Sequence, residues 1–512
     1  MKVPRPETEV PRPENWLVVL AVAAATLGVA AAPTPAGLTP TGQRALATAV
    51  FAAGLWITGA LPLAVTALTV PVWLVALGVY PTLAAALTGF ADPIVFLFLA
   101  TFVLAAALRK HGLDRRVALE LLGRVGTTPR RVVLGVMVTT AVLSMLVSNT
   151  ATVALMAPIA VGVVRQIDAA ADRSVENLHT ATLLGVAYAG SIGGIGTLVG
   201  TPPNAIVVAQ LADAGYEIDF AEWSVVGLPT VAATLPLSWY LLVRLYPPEE
   251  VDVSAARATA RRSATEAGPL DRSARRVAAI FVAVAALWVV GGLDFLFAGV
   301  LPPEWQTTLF GGEGPRIFAA ASAGGYQGLL YFVVVGLAAI PVLFLAGGVE
   351  WDDVERIDWG TLLLFGGGLT LADALSDTGA TEWLAGAVLA AFGDAPLAVL
   401  LAAIVALTVA LSELASNTAT AAVLAPVLIE VGTELPASGV ETAVLLPIAS
   451  AVAASYGFAL PVATPPNAIV FGTGEVTRGQ MLRAGSVLDA VFVVVTTGVL
   501  LALAATLLPG VA

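Results

Sequence analysis

Long apolar runs separated by short polar ones dominate this 512-residue chain. A helix that crosses a bilayer needs about 20 predominantly apolar residues. On that measure the pattern predicts uninterrupted spans near 16–32, 45–61, 63–79, 92–108, 223–243, 276–298, 326–347, 359–376 and 485–508. Four further apolar stretches are broken by polar or helix-breaking residues. Two of them, about 132–164 and 396–429, are interrupted at Ser148-Asn149-Thr150 and Ser416-Asn417-Thr418. The other two are 178–214, broken between Gly193 and Pro203, and 440–475, broken before Thr464-Pro465-Pro466. The fold class expected is therefore an all-α polytopic membrane protein.

Charge orients these spans, because arginine and lysine concentrate on the cytoplasmic side. Arginines flank the 132–164 stretch at Arg130, Arg131 and Arg165, and its middle is polar but uncharged. A re-entrant hairpin opening to the cytoplasm fits that pattern better than two full spans. From Asp358 through Thr477 there is no lysine or arginine, while Asp377, Glu382, Asp394, Glu430, Glu434 and Glu441 are present. The second hairpin is thus expected to open outside. The count is about eleven spans plus two hairpins, in an inverted-topology repeat. Its expected parts are a cytoplasmic tail (1–15), a first membrane half (16–246), a cytoplasmic linker (247–275) and a second half (276–512). The N-terminus is expected inside and the C-terminus outside. The apolar run after Asn15 lacks a convincing cleavage site and is taken as a retained first helix.

The repeat is visible in the residues themselves. Ser148-Asn149-Thr150-Ala151-Thr152 recurs as Ser416-Asn417-Thr418-Ala419-Thr420, with Pro158 and Pro426 following at equal distance. Thr201-Pro202-Pro203-Asn204-Ala205-Ile206-Val207 recurs letter for letter from Thr464 to Val470. Irregular backbone at membrane depth is tolerated only where protein buries it or a cavity is lined by it. Paired interruptions in two halves point to a transporter's binding site. A helix broken at such a tip frees backbone N–H groups, which attract anions, and carbonyls, which attract cations. The hydroxyls and amides of Ser-Asn-Thr serve either, and oxygen-only ligands suit a hard cation such as Na⁺. No lysine or arginine lies within the hairpins or broken helices, so an anion held there needs helix ends and bound cations to balance it. One Ser-Asn-Thr alone is a common cap or turn; two motifs duplicated in order carry the functional reading. Glu413, three residues before the second tip, is an intramembrane carboxylate, functional or a hydrogen-bond acceptor that stabilises the hairpin. The aligned position in the first copy is Met145.

Composition removes other classes. Cysteine is absent, which rules out disulfides, thiolate metal sites and cysteine nucleophiles, and the only histidines are His111 and His179. Walker and HExxH motifs are missing, and no organic cofactor is expected. The net charge of −12 offers no basic stripe for nucleic acid. With 58% hydrophobic residues and a mean hydropathy of +0.90, the lipid bilayer is the expected surrounding. An enzyme would need a nucleophile with its base, or a metal centre, and intramembrane histidine and paired acids are lacking. A channel could also use backbone carbonyls, but broken helices entering from opposite faces suit alternating access better.

The paired motifs, together with Asp358-Trp359-Gly360-Thr361-Leu362-Leu363-Leu364-Phe365-Gly366-Gly367-Gly368-Leu369, resemble the divalent anion/sodium symporter family. The similarity covers nearly the whole chain beyond the first helix. That resemblance implies a homodimer in the cell membrane, with scaffold and transport domains and an elevator-like movement. By motif position it implies one Na⁺ site from Ser144, Ser148, Asn149 and Gly200, and a second from Ser412, Ala415, Asn417 and Ala463. The substrate would lie between the tips, touched by Ser148, Asn149, Thr150, Thr201, Ser416, Asn417, Thr418 and Thr464. Leu460-Pro461-Val462-Ala463 stands where the first copy has Thr197-Leu198-Val199-Gly200, so the two cation sites need not be equal. The function expected is sodium-coupled carriage of a C4 dicarboxylate such as succinate, malate or fumarate. The alternatives are sulfate or another oxyanion, or Na⁺-independent dicarboxylate exchange.

Overall fold

A computed structural model describes residues 13–124, 128–171, 173–254, 268–297, 300–311, 327–392, 395–435 and 440–507. Most of the expected N-terminal tail, the middle of the linker and Asp394 lie outside those residues. Among them are 22 α-helices and no strand. The first half begins with α1 (Pro13–Ala31), α2 (Pro40–Thr58), α3 (Leu63–Ala76), α4 (Leu83–Ala86) and α5 (Pro93–Lys110). It continues with α6 (Leu113–Leu122), α7 (Pro129–Ser144), α8 (Asn149–Ala170), α9 (Glu176–Gly194), α10 (Pro202–Asp213) and α11 (Phe220–Leu245). The second half starts with α12 (Arg272–Gly291), α13 (Pro303–Phe310), α14 (Phe332–Leu345), α15 (Trp351–Glu355) and α16 (Trp359–Asp377). It ends with α17 (Ala380–Phe392), α18 (Leu397–Leu414), α19 (Asn417–Glu434), α20 (Val440–Ala454), α21 (Pro465–Gly472) and α22 (Arg478–Leu507).

By length and composition, α5, α8, α11, α12, α18 and α22 are each able to cross a membrane. Residues of α1, α3, α14, α17 and α20 form apolar helices that are shorter. Every break expected from the sequence is present. Proline sits at the start of α10 and α21, where its missing N–H costs nothing and its fixed φ suits the first helical turn. Two helices depart from the expectation. After His111, which no expected span covers, α6 buries Leu113, Ala118 and Leu122 while Arg115 stays exposed, and its charges hide that narrow apolar stripe. The segment after Asp377 contains α17, a helix of 13 residues that falls short of a full span.

The two halves interlock. α10 packs on α19 and α20 of the other half, and α21 packs on α8 and α9. Gln210 of α10 donates through Nε2 to the Ala422 carbonyl of α19 (3.2 Å). Close backbone approach holds the break regions, as expected where lipid removes the usual hydrophobic gain and packing of small residues takes over. A Cβ on Gly227 of α11 would overlap the Ile195 carbonyl, and one on Gly485 of α22 would overlap the backbone of Phe458 and Ala459. The helix that follows each broken helix thus presses a glycine onto the break.

Candidate functional site

At the first tip, α7 stops at Ser144 and α8 begins at Asn149. Ser148 caps α8 through its hydroxyl, which accepts from Ala151 N at 3.4 Å. Ser144 Oγ lies 2.6 Å from the Gly190 carbonyl and 2.6 Å from the Asn149 amide. One end of that amide faces Ser144 Oγ (2.6 Å), Gly190 O (3.0 Å) and Gly200 O (3.2 Å). The opposite end faces Thr201 Oγ1 at 3.3 Å. Either orientation of the amide sets it against the same three oxygens. Turned one way, its NH₂ donates to the surrounding oxygens. Turned the other, Oδ1 joins Ser144 Oγ and two carbonyls around a point where oxygens repel unless a cation lies between them. Such an all-oxygen donor set fits a hard cation.

The second tip repeats the geometry. α18 ends at Leu414 and α19 begins at Asn417. Ser412 Oγ lies 2.7 Å from Asn417 Oδ1 and 2.6 Å from the Ala454 carbonyl. A Cβ on Gly457 would sit 3.2 Å from both the Ser412 carbonyl and the Ala463 Cβ, so Ala463 borders the same cluster. Ala415 lies in the turn itself, its N–H donating to Leu411 O at 2.8 Å.

Of the residues named from the sequence, the structure brings Ser144, Asn149, Gly200 and Thr201 together, and Ser412 with Asn417. Thr464 does something different from Thr201: it caps its own helix, accepting from Asn467 N at 3.2 Å. Thr150 is exposed beside the first tip, whereas Thr418 is buried beside the second. Ser148 and Ser416 occupy the cap positions of α8 and α19. Sequence reasoning missed the carbonyls of Gly190 and Ala454, because a backbone oxygen leaves no residue signature. It also passed over Asn204 and Asn467, although the letter-for-letter repeat contains them.

Glu413 acts as an acceptor. Its carboxylate takes Ala459 N at 2.6 Å and Leu460 N at 2.9 Å, tethering the break after α20 to the end of α18. The first half makes the same tether with the chemistry reversed: Thr197 Oγ1 of the break donates to the Met145 carbonyl at 2.5 Å. Glu413→Leu leaves two buried N–H groups unpaired, at about 1–3 kcal/mol each. It is expected to lower the melting temperature of the purified protein more than Glu413→Gln, which keeps one acceptor; equal melting of both variants and the parent would contradict the tether.

His179 belongs to a surface cluster, its Nδ1 lying 3.2 Å from Glu475 Oε2. Arg165 of α8 donates to Glu475 Oε1 at 2.7 Å, and this guanidinium holds the Glu475 carboxyl below its usual range. His111 Nε2 lies 3.2 Å from the Gly348 carbonyl. Neither histidine approaches the tips.

Residues 13–508 match the sodium:sulfate symporter transmembrane region. The chain belongs to that symporter family. It is similar to the sodium-dependent dicarboxylate transporter SdcS of Staphylococcus aureus strain USA300, 32% identical over 406 residues, spanning 77% of this chain and 73% of the relative. The SdcS of strain bovine RF122 / ET3-1 matches to the same extent. The fold is similar to that of the YdaH transporter of Alcanivorax borkumensis, described as having an unusual topology. The TM-score is 0.53 at 18% identity, covering 97% of this chain and 98% of that one. Members of the symporter family are multi-pass membrane transporters, and this chain is a carrier rather than an enzyme.

Proposed function

We propose that this symporter-family member couples Na⁺ to the transport of a divalent anion, with a C4 dicarboxylate as substrate. The observation that carries the reading is the pair of matching oxygen clusters, Ser144–Asn149–Gly190–Gly200 and Ser412–Asn417–Ala454. Each lies where a helix begins, and helix N-termini favour anions. No ionisable side chain occurs from Val132 to Val164, so cations bound in the clusters supply the positive charge that a dianion requires. The SdcS relatives are sodium-dependent dicarboxylate transporters by name, which favours the carboxylate over sulfate.

In this reading Ser144, Ser148, Asn149 and Gly200 hold one Na⁺, and Ser412, Ala415, Asn417 and Ala463 hold the other. The carboxylates meet Ser148, Asn149, Thr150 and Thr201 from one half and Ser416, Asn417, Thr418 and Thr464 from the other. A C4 dianion needs two anchoring points several ångströms apart, and two tips provide them. The halves form an inverted repeat, with α7–α8 opening to the cytoplasm and α18–α19 to the outside. The tips move together across a fixed scaffold in a homodimer of the cell membrane. The N-terminus lies inside and the C-terminus outside.

Proteoliposomes test this directly. Labelled succinate is expected to accumulate only under an inward Na⁺ gradient, with unlabelled sulfate failing to compete. Accumulation blocked by sulfate moves the substrate to oxyanions. Flux that needs internal dicarboxylate and ignores Na⁺ makes the protein an exchanger.

A further inference from the structure

Asn204 and Asn467 close the two copies of Thr-Pro-Pro-Asn, and both are fully buried. Asn204 Nδ2 donates to Gly194 O at 3.0 Å and Thr197 O at 2.8 Å, with Ile195 O at 3.5 Å. Asn467 Nδ2 donates to Gly457 O at 2.8 Å and Leu460 O at 2.9 Å. The two bonds shared by both halves reach back ten and seven residues in each. Gly194 ends α9, and Thr197, Gly457 and Leu460 lie in the unwound segments that follow α9 and α20. Both side-chain oxygens, by contrast, are buried without a hydrogen-bond partner. An unpaired buried acceptor is costly, so the donor side must serve something a simpler residue does not. A serine or threonine hydroxyl carries one hydrogen and cannot hold two carbonyls at once.

The carbonyls so held border the oxygen clusters. A Cβ on Gly200 would overlap the Gly194 carbonyl, and a Cβ on Gly194 would overlap the Asn149 amide. Gly457 is the residue lying against both Ser412 O and Ala463. We propose that Asn204 and Asn467 are the positioning residues of the two cation sites, each fixing the unwound backbone so that Gly200 or Ala463 presents its carbonyl to the ion. The assignment rests on the sodium-coupled reading above. It separates cation affinity from substrate contact: each asparagine acts on Na⁺ through the loop it ties and touches no substrate.

The test uses the full-length protein in proteoliposomes. Initial uptake of labelled succinate is measured against external Na⁺ at saturating succinate, and succinate KM at saturating Na⁺. Asn204→Ser and Asn467→Ser each keep one donor hydrogen. The half-saturating Na⁺ concentration is expected to rise about tenfold in each, as for one lost hydrogen bond. High Na⁺ should restore the rate, and succinate KM should stay within about twofold. Asn204→Gln and Asn467→Gln, which keep the NH₂ one methylene further out, are expected to give a smaller rise, and they decide the matter if the serine variants do not fold. Variants with the parent's half-saturating Na⁺, or a maximal rate lowered equally at every Na⁺ concentration, overturn the assignment alone. A parent protein indifferent to Na⁺ overturns the coupling itself and the assignment with it.

Discussion

Replacing Asn149 or Asn417 by alanine is expected to lower Na⁺-driven uptake about ten- to a hundredfold, with the protein still folded. Each amide is the hub of its cluster, within 2.6 Å of Ser144 Oγ in one half and 2.7 Å of Ser412 Oγ in the other. Removing an oxygen that faces a full charge forfeits about 1.5–3 kcal/mol, and each 1.4 kcal/mol is tenfold in affinity. In the proposed reading the same side-chain amide also meets the substrate, so the variant weakens cation and substrate binding together. The fold should survive, because alanine at the first position of α8 or α19 is a good helix former and the lost partners sit at an unwound tip. Uptake by both variants equal to the parent's, with normal yield of purified protein, would sink the site.

The tips were legible because their chemistry is carried by side chains that are out of place in lipid. Ser148-Asn149-Thr150 inside an apolar run, repeated 268 residues later, has no use as a span. The same holds for the proline pairs, which mark the starts of α10 and α21. What stayed hidden is of two kinds. Gly190 and Ala454 contribute only carbonyls, and neither letter says whether its oxygen is bonded within the helix or turned to a neighbour's hydroxyl. Gly227 and Gly485 matter by what they lack, and an apolar span containing one glycine looks like many others. α6 was obscured by its own arginines, and α17 by being too short to register as a crossing.

The departures between the two copies have a physical content beyond their letters. Thr197 in one break and Leu460 in the other are aligned, yet both breaks are tied to the tip beside them. The first uses its own hydroxyl on the Met145 carbonyl; the second takes the Glu413 carboxylate onto two of its N–H groups. A carboxylate bonded twice is the stronger tether, since bonds to charged groups exceed neutral ones. The second break is accordingly held more firmly, and α10 and α21 carry each half's geometry into the other. In the proposed elevator-like reading, motion of the tips then belongs to the interlocked set, not to one hairpin by itself.

Gly194→Ala supplies the sharpest separation of site from scaffold, because it adds one methyl group and nothing else. Residue 194 ends α9, where glycine is a poor choice for helix stability; alanine gains up to about 1 kcal/mol in an open helical position. Here the added Cβ would fall on the Asn149 amide. The amide must leave the cluster or α9 must back away from the tip, and either opens the spacing of Ser144, Gly190 and Gly200. Na⁺-driven uptake is expected to fall at least about thirtyfold, a loss of roughly 2 kcal/mol in cation binding. Gly162→Ala on α8 is the matched control: nothing lies within 4 Å of its added Cβ, and uptake should equal the parent's. Measured side by side against external Na⁺, the two variants differ in position only. Parent-like Na⁺ activation in Gly194→Ala would mean that the Asn149 amide is not where the ion binds, since the added Cβ falls on that amide.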